Sequence, residues 1–145
     1  MRSRSAATWP SSACASCAAV GGLLDESDPG LLAKLASVIQ AVRTPGVIAI
    51  HRLRAIRSGG VVHVDAHVVV PRFWSVSEAH DFADDFEIRL VRGVDQEAEC
   101  IFHLDPCRSA YCRGCRVDPC PVRAHAFVDD RDWSLETLTG EALED

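Results

Sequence analysis

The sequence predicts an α+β domain in which two helices cover one face of a three-stranded sheet. Three observations support this fold: an apolar stripe of helical period after residue 28, strict apolar alternation over residues 61–70, and a second helical stripe after residue 75. The predicted element order is α-β-β-α-β, which places the helices in one layer on the sheet. A length of 145 residues, 48% hydrophobic and 25% charged, suits a single folded domain.

The first predicted helix begins at Asp28 and Pro29, because aspartate is a favoured N-cap and proline fits the first helical position. It ends before Pro45 and Gly46, since proline does not continue a helix. Six apolar residues of this segment fall on one helical face: Leu31, Leu32, Leu35, Val38, Ile39 and Val42.

A β-hairpin follows, with strands at Val47–Ile56 and Val61–Val70. The residues between them, Arg-Ser-Gly-Gly at 57–60, are typical of a hairpin turn. Every even-numbered residue of the second strand is apolar, so we expect that side to face the core. Its opposite side carries three polar residues that are two positions apart, namely His63, Asp65 and His67.

The second helix begins at a capping box formed by Ser75 and Glu78, just after Pro71 closes the preceding strand. It ends near Arg92 and Gly93, and a short third strand follows at Glu99–Leu104. A right-handed crossover through the helix would allow the second and third strands to pair in parallel. The helical stripe consists of Val76, Ala79, Ala83, Phe86 and Leu90.

Charge and motif content exclude several classes of protein. With 15 Lys and Arg against 21 Asp and Glu, the net charge is −6, which argues against nucleic acid as a partner. No segment reaches the roughly 18 unbroken apolar residues of a membrane span, so we expect no direct membrane insertion. We find no nucleophile–base pair, phosphate loop or dinucleotide fingerprint, and we therefore expect a protein that is not an enzyme.

Composition divides the chain into four parts. Residues 1–22 are rich in Ser and Ala and contain no acidic residue, which favours a disordered N-terminal arm over an export signal. Residues 23–106 form the α+β domain, residues 107–127 hold four cysteines, and residues 128–145 form an acidic tail that either docks or is mobile. The Cys-x-x-Cys pair at residues 14 and 17 has no further ligands beside it and predicts little by itself.

Histidine and aspartate residues recur at strand and helix positions. His103 and Asp105 are two residues apart at the end of the third strand, so both side chains point to the same side. Imidazole nitrogen and carboxylate oxygen are suitable ligands for zinc and other divalent transition metals. An isolated strand histidine is more often a hydrogen-bonded surface residue, and spacing alone leaves both interpretations open. The remaining candidates are His51, His67 and His80.

The middle of the chain resembles the cytoplasmic C-terminal domain of the cation diffusion facilitator, or cation efflux, family of metal transporters. The resemblance covers residues 24–106. It is carried by Gly46-Val47, His51-Arg52-Leu53-Arg54, Ser58-Gly59, Val64-Asp65-Ala66-His67-Val68, Ser75-Val76-Ser77-Glu78-Ala79-His80 and Phe102-His103-Leu104-Asp105-Pro106.

This resemblance implies a ferredoxin-like, metallochaperone-like fold, a two-fold homodimer and a cytoplasmic location. It also implies that His51, His67, His80, His103 and Asp105 match metal-ligand positions, with some ligands supplied by the opposite protomer. His63 has no counterpart in the family pattern, and Ile56 stands where Arg is common. The six membrane helices of the family have no counterpart in this sequence, which predicts a free-standing relative or a truncated gene product.

The strongest local pattern is the spacing Cys-x4-Cys-x2-Cys-x4-Cys formed by Cys107, Cys112, Cys115 and Cys120. Four thiolates so close together suit a tetrahedral zinc site, and a metal would order a segment that has few large apolar residues. An iron–sulfur cluster, two disulfides and unligated thiols remain alternatives, and His125 could replace one sulfur. Cys100 alternates with apolar neighbours and is expected to be a buried small residue.

These observations predict a dimeric regulatory module that binds a divalent cation, most simply zinc, and acts in metal sensing or homeostasis. A membrane cation transporter is a candidate partner. Two alternatives stay open at this point: a cytosolic metal buffer or carrier, and an iron–sulfur redox protein built on the four cysteines.

Overall fold

A computed structural model describes residues 28–144 of the chain. The predicted α-β-β-α-β order with two helices and a three-stranded sheet is confirmed. The N-terminal arm predicted for residues 1–22 and the cysteine pair within it lie outside the described residues. The elements are α1 (Pro29–Val42), β1 (Ala49–Ser58), β2 (Val61–Val70), α2 (Val76–Val94), β3 (Ala98–Pro106), a 3-10 helix (Ser109–Gly114) and α3 (Leu135–Thr139).

Both long helices begin with the side-chain caps that the sequence predicts. The Asp28 carboxylate accepts hydrogen bonds from the backbone N–H groups of Gly30 and Leu31 at 2.9 and 3.2 Å. At the start of α2, the Ser75 N–H donates to the Glu78 carboxylate, and the Glu78 N–H donates to the Ser75 hydroxyl. None of the helices within residues 28–144 has the length and apolar character that a membrane crossing requires.

The sheet has the order β1-β2-β3, with β1 and β2 antiparallel and β2 and β3 parallel. Helix α2 makes the crossover that a parallel pair requires. Just past the end of β3, the Cys107 N–H donates to the Val70 carbonyl at 2.9 Å. The residues after β3 therefore leave the sheet from a fixed position beside the end of β2.

A β-bulge interrupts the pairing of β1 with β2. His51 lies opposite His67, but the next pair is Arg54 with Asp65, so β1 has one extra residue between these pairs. Arg52 sits in the bulge with a φ of +52°, a left-handed conformation that side-chain-bearing residues seldom adopt.

The bulge determines which side chains of β1 face the helices. Ile50 and Leu53 are both buried in the core, although regular alternation would put them on opposite sides of the strand. His51 lies between them in sequence and pairs with His67 on the sheet face that points away from α1 and α2. We call this the open face.

The main core lies between the two long helices and the even-numbered residues of β2. Its largest fully buried side chains include Phe86, Leu35 and Ile39. Helices α1 and α2 approach closely at Gly93, where an added Cβ would lie 2.4 Å from a methyl carbon of Val38. The glycine is therefore a requirement of the helix packing.

The acidic C-terminal segment is docked, which resolves the choice between a docked and a mobile tail. Leu138 of α3 is fully buried in the main core, and Trp133 is 8% exposed. The Gln40 amide donates to the Trp133 carbonyl at 3.0 Å, and the Arg52 N–H donates to the Gly140 carbonyl at 2.9 Å. These contacts place the segment against β1, next to the bulge.

Candidate metal centre

Three histidines form a row across the open face. His67 on β2 lies in register with His51 on β1 and with His103 on β3. The ring centroids of His51 and His67 are 5.0 Å apart, and those of His67 and His103 are 4.8 Å apart. The sheet register thus brings together three residues that are widely separated in sequence.

Asp105 joins two of these imidazoles. Its Oδ2 atom lies 2.9 Å from Nδ1 of His67 and 3.3 Å from Nε2 of His51. The Asp105 side chain is 38% exposed, whereas that of His51 is 6% exposed. The cluster therefore has one deeply buried side chain and one that solvent reaches.

His51 is the buried polar residue of the cluster. Burial lowers the pKa of His51 because the imidazolium ion loses solvation, and the neighbouring Asp105 carboxylate opposes this effect only in part. Its Nδ1 atom is buried with no hydrogen-bond partner among residues 28–144. A neutral imidazole is the form that binds a metal, so burial prepares His51 for coordination.

The geometry of the cluster fits a divalent cation. One ligand atom from each of His51, His67 and Asp105 lies within 4.8 Å of the others. Two imidazole nitrogens and one carboxylate oxygen can bind zinc at about 2.0–2.2 Å, and a fourth position remains for water or a ligand from another chain. Within residues 28–144, no other group of three or more such residues meets this distance.

Two predicted ligands lie outside this group. His103 stacks on His67 but is exposed, and its Nε2 lies 3.8 Å from Oδ1 of Asp65. His80 lies on α2, where its exposed imidazole contacts Asp84 at 3.4 Å. Both remain predictions as ligands.

Asp65 is a second carboxylate of the open face, on the same side of β2 as His63 and His67. Glu99 is another, and its Oε2 lies 3.1 Å from Nδ1 of His63. The β2–β3 register places Glu99 directly opposite His63, whereas Asp65 lies opposite Ile101 and approaches His103 diagonally. Only the register could have identified these partners, because sequence spacing does not determine it.

The four predicted cysteine ligands line one cavity beyond the end of β3. Cys115 is buried, and Cys107, Cys112 and Cys120 are partly buried. The sulfurs do not form a compact group: within residues 28–144, no three of them lie within 4.8 Å of one another. The four thiols therefore share a cavity in an open arrangement, and their role as metal ligands stays a prediction.

Burial also raises the pKa values of two thiols. It raises the pKa of Cys115, an effect that a backbone hydrogen bond from Val117 and the Arg123 charge partly offset. Burial raises the pKa of Cys100 to about 12, with smaller contributions from Glu87 and Glu99. Cys100 packs against the main core but is only partly buried, whereas the sequence predicted a buried residue.

Comparison with known proteins agrees with the fold. The family model described as cation efflux protein, cytoplasmic domain, matches residues 28–107, which include every element from α1 to β3. The chain belongs to this family. The match contains His51, His67, His80, His103 and Asp105, whereas the cysteines at 112, 115 and 120 lie beyond it.

Two plant proteins are similar to this cation efflux domain in sequence. Metal tolerance protein 2 of Oryza sativa subsp. japonica is 34% identical over 77 residues, which are 53% of this chain and 19% of that protein. Metal tolerance protein C1 of Arabidopsis thaliana is 34% identical over 65 residues, 45% of this chain and 14% of that protein. The chain thus corresponds to less than a fifth of the length of either relative.

Solved structures share the fold. The zinc form of CzrB, a proposed zinc transporter, matches with a TM-score of 0.52 and 24% identity, covering 57% of this chain and 93% of that chain. A second CzrB structure matches with a TM-score of 0.50 and 22% identity, over 55% of this chain and 96% of that chain. The cation efflux domain therefore has the α+β architecture seen in these structures.

Proposed function

We propose that this protein is a zinc-binding, dimer-forming regulatory module of the cytoplasm, and not an enzyme. The observation that carries the proposal is the convergence of His51, His67 and Asp105 at the centre of the open face. Membership of the cation efflux cytoplasmic-domain family supports a role in metal homeostasis. We further propose a membrane cation transporter as the partner that this module regulates.

The coordination number connects metal binding to dimer formation. Three ligands from one chain leave a zinc ion one ligand short of a closed tetrahedral site. His103 and the 57% exposed Ile101 lie on the open face, where a second copy of the chain could dock. A ligand from that copy would complete the site, so zinc would bind the dimer more tightly than the monomer. By linkage, zinc would then strengthen the dimer.

The test is to measure dimer dissociation by sedimentation equilibrium with and without zinc. Zinc should tighten the wild-type dimer, and His67→Ala combined with His103→Ala should abolish the effect without unfolding the chain. The matched control is His63→Ala, which removes an exposed histidine of the same strand outside the three-residue cluster. Equal zinc effects on the double variant and the wild type would refute the assignment.

A metal buffer or carrier is the second candidate function. The 38% exposure of the Asp105 side chain favours it, since an accessible ligand permits exchange of the ion. A carrier would bind zinc at the same residues with no change in dimer dissociation. The sedimentation experiment therefore separates the two functions.

A further inference from the structure

The four-cysteine segment, residues 107–127, forms a cavity that the His/Asp cluster does not use. Its volume is about 70 Å³, and all four cysteines of the segment line it together with apolar residues such as Ile48 and Tyr111. Each of these cysteines has a free thiol. The segment therefore brings four thiols to one partly enclosed place beside the sheet.

The surroundings of the cavity are positively charged. Arg72, Arg108 and Arg123 line it together with the thiols. The Arg123 guanidinium donates hydrogen bonds to the backbone carbonyls of Cys112, Cys115 and Val117 at 3.3, 3.2 and 2.6 Å. These bonds hold a cation inside the loop that carries the central Cys-x-x-Cys pair, where it would offset thiolate charge.

One sulfur already accepts a hydrogen bond of the kind found around metal-bound thiolates. The Ala124 N–H donates to Sγ of Cys112 at 3.4 Å. Hydrogen bonds to sulfur orient thiolate ligands and adjust their basicity at metal sites. Ala124 and Arg123 are adjacent, so a single turn after Cys120 supplies both the sulfur contact and the neighbouring cation.

We propose that Cys107, Cys112, Cys115 and Cys120 form a second metal site that takes one thiophilic cation of the zinc class. Tetrahedral thiolate coordination at about 2.3 Å places the sulfurs about 3.8 Å apart, so the open arrangement must close around the ion. On binding, each thiol releases its proton to solvent and its sulfur donates an electron pair to the cation. Neither the sulfur nor the metal changes oxidation state.

The segment is built to permit such a closure. Its regular structure is a short 3-10 helix, and two of its backbone bonds are long, from Cys115 N–H to the Cys112 carbonyl at 3.3 Å and from Arg123 N–H to the Cys120 carbonyl at 3.4 Å. One end is fixed, because the Cys107 N–H bonds to β2. The metal would therefore order a loop anchored to the sheet.

The experiment is titration of the reduced chain with cobalt(II), which reports its ligands through absorption. Cobalt bound to thiolates gives sulfur-to-metal charge transfer, whereas cobalt bound to imidazole and carboxylate does not. The reference background carries Cys14→Ser and Cys17→Ser, so that thiols outside the described residues do not contribute. Cys112→Ser and Cys120→Ser test the site, and Cys100→Ser is the matched thiol outside the segment.

We expect about one thiolate-bound cobalt per chain, in addition to cobalt at the His/Asp cluster, with strong charge transfer consistent with four sulfur ligands. Each segment variant should lower the band by about a quarter or abolish it, and Cys100→Ser should leave it unchanged. His67→Ala should also leave the band intact while removing the cobalt bound at the His/Asp cluster. Failure of this site and failure of the proposed function therefore have different signatures.

Three results would overturn the inference. The first is the absence of charge transfer in the fully reduced chain. The second is a band that stays unchanged in both Cys112→Ser and Cys120→Ser. The third is iron with acid-labile sulfide in protein purified without air, because a cluster would then occupy the thiols in place of a single ion.

Discussion

The Asp105 carboxylate contacts His67 diagonally across the β2–β3 ladder. Its Oδ2 atom lies 2.9 Å from Nδ1 of His67, although the residue in register with Asp105 is Val69. The same oxygen reaches His51 on β1, so one carboxylate links side chains from all three strands. Removing this charge should therefore disturb the whole site.

Replacement of Asp105 by Asn should lower zinc affinity at the cluster by at least about 100-fold. Loss of a hydrogen-bond partner of a metal ligand already costs roughly 10–100-fold in affinity, and here the proposed direct ligand loses its charge. Competition with a chromophoric chelator measures the change. Glu99→Gln is the control, because it removes a carboxylate from the same face of β3 outside the cluster; equal affinities for the two variants would exclude Asp105 as a ligand.

Acidification should destabilise the metal-free protein partly through His51. Because burial lowers its pKa in the folded state, the unfolded state binds more protons as the pH falls. The contribution of His51 to the free energy of unfolding is thus fully present above the histidine pKa of the unfolded chain, about 6.5. It is lost as the pH drops below that value.

Urea midpoints at about pH 7.5 and pH 5.5 test this expectation, with a chelator present. His51→Gln should lose less stability on acidification than the wild type. His63→Gln, at an exposed position of the neighbouring strand, should behave like the wild type. Identical losses in all three proteins would show that His51 does not contribute.

Replacement of Gly93 by Ala should destabilise the domain by about 1 kcal/mol or more, because overpacking costs about 1–3 kcal/mol. The new methyl would collide with Val38 across the helix contact. Adding Val38→Ala should restore much of the loss. Gly60→Ala is the control, since nothing lies within 4 Å of its added Cβ; equal denaturation midpoints for Gly93→Ala and Gly60→Ala would contradict close helix packing.

Truncation of Leu138 to Ala should cost about 2–5 kcal/mol, the usual range for a buried leucine. This residue is 0% exposed in the core although it lies in the acidic C-terminal segment. Leu143→Ala, at a position that is 39% exposed, should have a much smaller effect. Chemical denaturation measures the free energy of unfolding of both variants. If α3 were not docked, Leu138→Ala and Leu143→Ala would both have small effects of similar size.

Local signals predicted most of the fold. Asp28, Pro29, Ser75 and Glu78 identify both helix starts because caps depend on neighbours within three residues. The alternation of β2 and the turn before it likewise depend on adjacent residues. Strand geometry alone predicts that the side chains of His103 and Asp105 point to the same face of the sheet.

The remaining features depend on contacts between residues far apart in sequence. The bulge at Arg52, which turns His51 toward His67, is stabilised in part by the Gly140 carbonyl almost ninety residues later. Helix α3 has only five residues and is too short to be stable alone, so it forms because Leu138 enters the core. No local sequence pattern reveals contacts between residues so far apart in the chain.

The position of the C-terminal segment also bears on solubility. An exposed edge strand offers unpaired backbone groups to any other β-strand, and it is a common starting point for aggregation. Here α3 packs beside the outer strand β1, and the Gly140 carbonyl accepts a hydrogen bond from the Arg52 N–H. Proteolytic loss of the last dozen residues would uncover that strand, and the clipped chain should precipitate where the intact chain does not.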